Sequence, residues 1–149
     1  MSLETVVLAV GPSDEDRIDA LGQTTRDIAG PAGAAVKLVH VFTREEYDSI
    51  RDRLNIEPDS EQTPDDVAKR HNVVRSAKSA LEADGVEVTV NGRIGNHGEE
   101  IVGFAEEADA DLVVVGGRRR SPTGKAIIGS TAQRVMLDAP APVTFVRVD

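Results

Sequence analysis

Apolar residues fall along this chain in two rhythms, short unbroken runs and helical stripes, and the two alternate from end to end. Thr5-Val6-Val7-Leu8-Ala9-Val10 is the first run and predicts a strand over residues 5–10. Ser13 with Asp16 three residues on reads as a capping-box variant, and Ile18, Leu21, Thr25 and Ile28 line one helical face until Gly30-Pro31, where the helix is expected to stop. A second strand is expected over residues 36–42. From Thr43 to Thr63 the pattern is less regular, with a short helical turn around Tyr47 to Leu54 and then the polar stretch Glu57-Pro58-Asp59-Ser60-Glu61. Thr63-Pro64-Asp65-Asp66 sets a cap, a first-turn proline and two acids at a helix start. Val67, Val74, Ala77 and Leu81 carry its apolar face to Gly85, which predicts the longest helix of the chain.

A third strand, over residues 86–90, alternates valine with Glu87 and Thr89, as suits an edge strand with one wetter face. Asn96 with Glu99 opens the next helix, whose Ile101, Val102, Phe104 and Ala105 form the buried side. Leu112-Val113-Val114-Val115 is apolar at every position, as a central parallel strand covered on both faces should be. Ser130 with Gln133 reads as a capping box opening a last helix through Met136 and Leu137, and Pro140-Ala141-Pro142 separates it from a fifth strand over residues 143–148. Strands and helices in this order predict an α/β fold, a doubly wound five-stranded parallel sheet with right-handed crossovers, as a single domain over residues 1–149. Ligands of such sheets bind outside the carboxyl ends of strands, which directs attention to the loops after Val10, Val41, Val90 and Val115.

Composition narrows the chemistry. The chain has no cysteine and three histidines without ligand spacing, so disulfides, thiolate sites and a structural metal are not expected. Seventeen basic against 26 acidic residues give a formal charge of −9, a field that repels nucleic acid. No apolar run approaches the ~20 residues of a membrane span, and the N-terminus lacks signal-peptide features, so a cytoplasmic location is expected. Only Lys37, Lys69, Lys78 and Lys125 are lysines, and acidic, lysine-poor surfaces resemble those of proteins from salt-loving microbes. His40 reads as a packed strand residue, and His97 and Tyr47 as surface residues.

The segment after the fourth strand concentrates the candidate chemistry. Gly116 would let the chain turn off a buried strand, and Gly129 would bare the amides of a helix start, where the dipole favours an anion and Ser130 adds a hydroxyl. Arg118, Arg119, Arg120 and Lys125 could add charge-assisted bonds to phosphate oxygens. Gly124-Lys125 is not a P-loop, because Arg119 stands where that motif has glycine and Ala126 follows the lysine. The first strand ends without a Gly-x-Gly-x-x-Gly, and Gly-x-Ser-x-Gly is absent.

Thr5-Val6-Val7-Leu8-Ala9-Val10, Ala110-Asp111-Leu112-Val113-Val114-Val115-Gly116, Gly129-Ser130-Thr131 and Ala141-Pro142-Val143 together resemble the universal stress protein family over essentially the whole chain. The resemblance implies a flavodoxin-like sheet of order 3-2-1-4-5, a cleft between the first and fourth strands, and a homodimer paired antiparallel through Val143 to Val148. It also implies a phosphate motif, Gly-x-x-Gly-x-nine-Gly-Ser/Thr, which Gly116, Gly129, Ser130 and Thr131 match and which Arg119 departs from at the second glycine. The adenine-contacting aspartate of nucleotide-binding members falls on Gly11. By the same resemblance Ala9 and Val41 would line the base pocket, and Val115 would lie beside the ribose.

The expected function is therefore a non-enzymatic stress-response module that binds ATP, another nucleotide or a phosphorylated small molecule weakly, with phosphate mattering more than base. A ligand-free homodimeric interaction protein is the alternative. An ATP-hydrolysing enzyme ranks last, since no catalytic constellation stands near the loop.

Overall fold

In the computed structural model, which describes residues 2–57, 61–118 and 128–148, five strands form one parallel sheet of order β3-β2-β1-β4-β5. The strands are β1 (Thr5–Ala9), β2 (Ala35–Phe42), β3 (Val88–Ile94), β4 (Leu112–Arg118) and β5 (Val143–Val148). This is the doubly wound, flavodoxin-like sheet that the alternating pattern and the family resemblance predict. The sheet has two apolar faces because its central strands are apolar at successive positions. Val6, Leu8, Val36 and Leu38 face one core, and Val7, Ala9, Val39 and Val41 face the other. Helices α1 (Ile18–Ala32), α3 (Pro64–Ala68) and α4 (Asn72–Glu82) cover the first face; α5 (His97–Glu107) and α6 (Ser130–Asp138) cover the second. No helix among the described residues is long and apolar enough to cross a membrane.

Several elements depart from the sequence pattern, each for a local reason. Residues Pro12–Arg17 form a 3-10 helix whose start is fixed by Asp14 bonding back to Gly11, not by Ser13 and Asp16. Helix α1 runs through Gly30-Pro31 and ends at Gly33, whose φ of 65° lets its amide turn back onto the last carbonyls. A proline in the final turn removes one hydrogen bond there and so does not break what precedes it. Between Thr43 and Leu54 the chain forms a full helix, α2 (Arg44–Arg53), because Thr43 and Glu46 complete a capping box. Tyr47 on α2 is buried, its ring edge-on to Phe42, rather than exposed.

The single long helix expected from Thr63 to Gly85 is two, so α1 is the longest helix of those described. Helix α3 lies against β3, where Gly92 donates its amide to Asp65 at 2.7 Å, whereas α4 packs on α1. One straight rod cannot meet both surfaces, and His71 turns extended (ψ 130°) between them. Strand β3 begins later and continues past its valines to Ile94, held by the register from Val36↔Val88 to Phe42↔Ile94. Its polar residues find partners at the sheet edge: Arg93 lies 3.1 Å from Glu107 and 3.6 Å from Asp65. Strand β4 likewise extends through Gly116 and Gly117 to Arg118.

Candidate functional site

Strands β1 and β4 lie side by side mid-sheet, and beyond their carboxyl ends the helices that follow, α1 and α6, lie on opposite faces. The gap between those ends is the place where a parallel sheet offers backbone ends and helix starts to a ligand. A cavity of about 130 Å³ opens there. Its floor is apolar: Ala9 and Val10 from β1 and the residue after it, Val39 and Val41 from β2, Val115 from β4 and Ile101 from α5. Gly11, Asp14 and Arg17 form one wall, with His97, Thr131 and Ala132 opposite. A wider depression of about 480 Å³ adjoins it, sharing Arg17, Gly116 and Thr131 and adding Gly117, Gly129 and Ser130.

The structure thus gathers Ala9, Gly11, Val41, Val115, Gly116, Gly129, Ser130 and Thr131 along one cleft. Arg119, Arg120 and Lys125 lie outside the described residues, and of Arg118 only the backbone belongs to β4. Gly116 does not turn the chain. It is glycine because a Cβ there would sit 3.1 Å from both Arg17 Nε and Leu21 Cδ2. At Gly129 φ is an ordinary −60°, and an added Cβ would meet no described atom within 4 Å. Ser130 is the first residue of α6 rather than its cap, and no described side chain caps the helix. The first-turn amides have no intrahelical partner, and Ser130 is exposed beside them.

Two residues that sequence reasoning passed over dominate the wall. Asp14 is buried, with one oxygen accepting the Gly11 amide at 2.8 Å and the other the Arg17 Nε–H at 2.6 Å. Although Gly11 itself has no carboxylate, the site has one, supplied three residues later. The signal was present in Asp14 and Arg17 at helical spacing immediately after the first strand. His97 is also more than a surface residue. It lines the cavity and stands 3.0 Å from Glu46 Oε1, tying the start of α5 to α2. Burial raises the Glu46 pKa, but hydrogen bonds from the Thr43 amide and hydroxyl and from His97 outweigh it and leave it below the ordinary value. Among the described residues no group of three or more His, Asp or Glu side chains is placed to hold a metal ion.

The comparisons with known proteins agree with this architecture. Residues 2–147 match the model of the universal stress protein family. A curated "Universal stress protein" of Mycolicibacterium smegmatis is 35% identical over 79 residues, which is 52% of this chain and 61% of that protein, so the match spans under two thirds of the relative. The solved structure of a universal stress protein from Archaeoglobus fulgidus aligns with a TM-score of 0.71 at 27% identity, covering 99% of this chain and 100% of that one. A universal stress protein from the same organism in complex with dAMP aligns with a TM-score of 0.66 at 24% identity, again over 99% and 100% of the two chains. With the family model matched across nearly its full length and the sheet order and β1–β4 cleft in place, the chain belongs to the universal stress protein family.

Proposed function

We propose that residues 1–149 act as one universal stress protein domain that binds a nucleotide, or a phosphorylated small molecule of similar shape, in the cleft between β1 and β4. Membership of this family supports a binding role rather than a catalytic one. One observation carries the reading: an apolar floor made by Ala9, Val41 and Val115 adjoins, through the shared Gly116 and Thr131, a helix start at Gly129-Ser130-Thr131 that no described side chain caps. An apolar slot fits a planar base, and free amides at a helix N-terminus fit an oxyanion. The dAMP complex from Archaeoglobus establishes a shared fold, while the ligand class proposed here rests on this chain's own residues.

Mass spectrometry of small molecules released from freshly purified protein tests the reading. A nucleotide or sugar phosphate in detectable, sub-stoichiometric amount is the expected result, as suits a weak site. An empty protein that also gives no calorimetric heat with ATP, ADP or AMP would overturn it.

The alternative, a ligand-free homodimeric module, draws on the outer edge of the sheet. Among the described residues strand β5 pairs with β4 alone, and Leu137 on the neighbouring α6 is 75% exposed. An unpaired apolar edge invites a second copy, so homodimerisation through Val143–Val148 is part of the proposed function under either reading. We further read the charge of −9 with four lysines as a halophilic, haloarchaeal-like surface, and the protein as cytoplasmic.

A further inference from the structure

The wall that leaves β1 carries Asp14, Glu15, Asp16 and Arg17 in succession, and the fold gives these four charges different tasks. Asp14 and Arg17 are largely withdrawn from solvent, each side chain 11% exposed. Both Asp14 oxygens are engaged, one by the Gly11 amide and one by Arg17 Nε, so the carboxylate fixes the guanidinium in place. A guanidinium has five N–H donors in a rigid fork. Only the Nε–H of Arg17 is used; its terminal nitrogens donate to no described residue. Gly116 makes room for this arrangement, since a Cβ there would lie 3.2 Å from Arg17 Cδ. Arg17 borders both the apolar cavity and the wider depression, at the junction between them.

Past that junction the wall changes sign. Glu15 and Asp16 line the wider depression but not the narrow cavity, and neither is ion-paired with a described cation. A first phosphate leaving the base-sized cavity meets a fork of donors and the start of α6. Further phosphates on the same ligand would enter the depression that these two carboxylates line, where like charges repel over a Debye length of about 10 Å at 0.1 M salt.

Resting on the nucleotide reading above, we propose that Arg17, positioned by Asp14, reads the single phosphate next to the ribose, and that Glu15 and Asp16 discriminate against phosphates beyond it. The ligand class is then a nucleoside monophosphate rather than a triphosphate. A bidentate guanidinium–phosphate contact supplies the preference for the charged ligand over the bare nucleoside.

Calorimetry on the whole chain with adenosine, AMP and ATP, at about 0.1 M salt and without divalent cations, tests this. Wild type is expected to bind AMP about tenfold or more tighter than adenosine, with ATP no tighter than AMP. Arg17→Gln should bring the AMP-to-adenosine affinity ratio close to one, and Arg17→Lys should keep part of the preference. Asp14→Asn should narrow the AMP-to-adenosine ratio, a readout that mere loss of folding would not move because it weakens both ligands alike. The Glu15→Gln/Asp16→Asn double variant should raise ATP affinity several-fold relative to AMP.

An AMP preference that survives in Arg17→Gln and Arg17→Lys, or wild-type protein that binds ATP well above AMP, overturns the inference and leaves the nucleotide reading standing. If wild type binds none of the three, the nucleotide reading itself fails and this inference with it.

Discussion

His40 donates its Nδ1 proton to the carbonyl oxygen of Val10 across 2.7 Å, joining the middle of the sheet to the residue that opens the candidate cleft. The His40 ring is packed edge-on to Phe42 at 4.4 Å and beside His71 at 4.5 Å, and is buried from solvent, so a charge there would be poorly solvated. Burial pushes the His40 pKa from 6.5 down to about 4, against the smaller upward pull of the Val10 bond. Between those values the unfolded chain binds a proton that the native state refuses, so stability is complete above pH 6.5 and falls as pH drops toward 4. His71, lowered chiefly by burial and then by Arg53, shifts in the same direction. Glu46, with its lowered pKa, adds a loss of the same sign at still lower pH, as it protonates. The His40 contribution is on the order of 3 to 4 kcal/mol at most, using ~1.4 kcal/mol per pKa unit. Urea midpoints at several pH values across this window should fall steadily, and a His40→Gln variant should flatten the slope. A constant midpoint in wild type would refute the assignment.

Gly92 and Gly129 should respond oppositely to alanine. A Cβ on Gly92 would stand 2.1 Å from the Pro64 carbonyl oxygen, which is backbone and cannot swing aside. Gly92→Ala is therefore expected to cost about 3 kcal/mol or more and to loosen α3 from β3. Gly129→Ala meets no described atom at the added carbon and should cost about 1 kcal/mol or less, while weakening any ligand seated on the α6 amides. Thermal melts paired with ligand titrations distinguish the two. Equal destabilisation would show that Gly129 serves the fold after all.

Restoring an aspartate at the end of β1 should not restore adenine recognition here. Gly11 has an extended backbone (φ −132°, ψ 176°) that any residue adopts, but its Cβ would lie 3.8 Å from Asp14 Oδ2. Gly11→Asp then sets two carboxylates against each other and loosens the hold on Arg17, at a cost of about 1 kcal/mol of stability. A Gly11→Asp protein that is as stable as wild type and binds ATP more tightly would contradict this account.

If the acidic surface is tuned to salt, the melting temperature should climb as sodium or potassium chloride rises from ~0.1 M to ~1 M, because screening shortens from ~10 Å to ~3 Å. The two salts should act alike if screening is responsible. A flat or falling trend in both would remove the halophilic reading.

Light scattering at micromolar concentration should report twice the 15.9 kDa chain mass. Val143 and Phe145 are half-buried at the sheet edge, and Leu137 is exposed nearby. A Phe145→Lys/Leu137→Glu variant should run as a monomer with its fold intact by circular dichroism. Wild type that is monomeric throughout would exclude pairing through β5.

The strand and helix order and the parallel sheet were legible in the sequence because they rest on local periodicity. A run such as Val6-Val7-Leu8 has few alternatives to a doubly covered strand, and the spacing of Ile101, Phe104 and Ala105 fits only a helix face. Features that depend on which surfaces meet were decided by tertiary structure. The 63–85 segment reads as one helix, yet it splits because α3 is drawn to a glycine on β3 and α4 to α1. Tyr47 looks exposed in a charged helix and is buried because Phe42 waits across from it. Gly116 looks like a turn and is a strand residue cut away for Arg17. The same limit applies to the site. Pattern matching found glycines and hydroxyls at fixed spacings, because backbone motifs repeat in sequence. It passed over Asp14 and Arg17, whose significance comes from being buried together beside β4, about a hundred residues away along the chain and adjacent only after the sheet has formed.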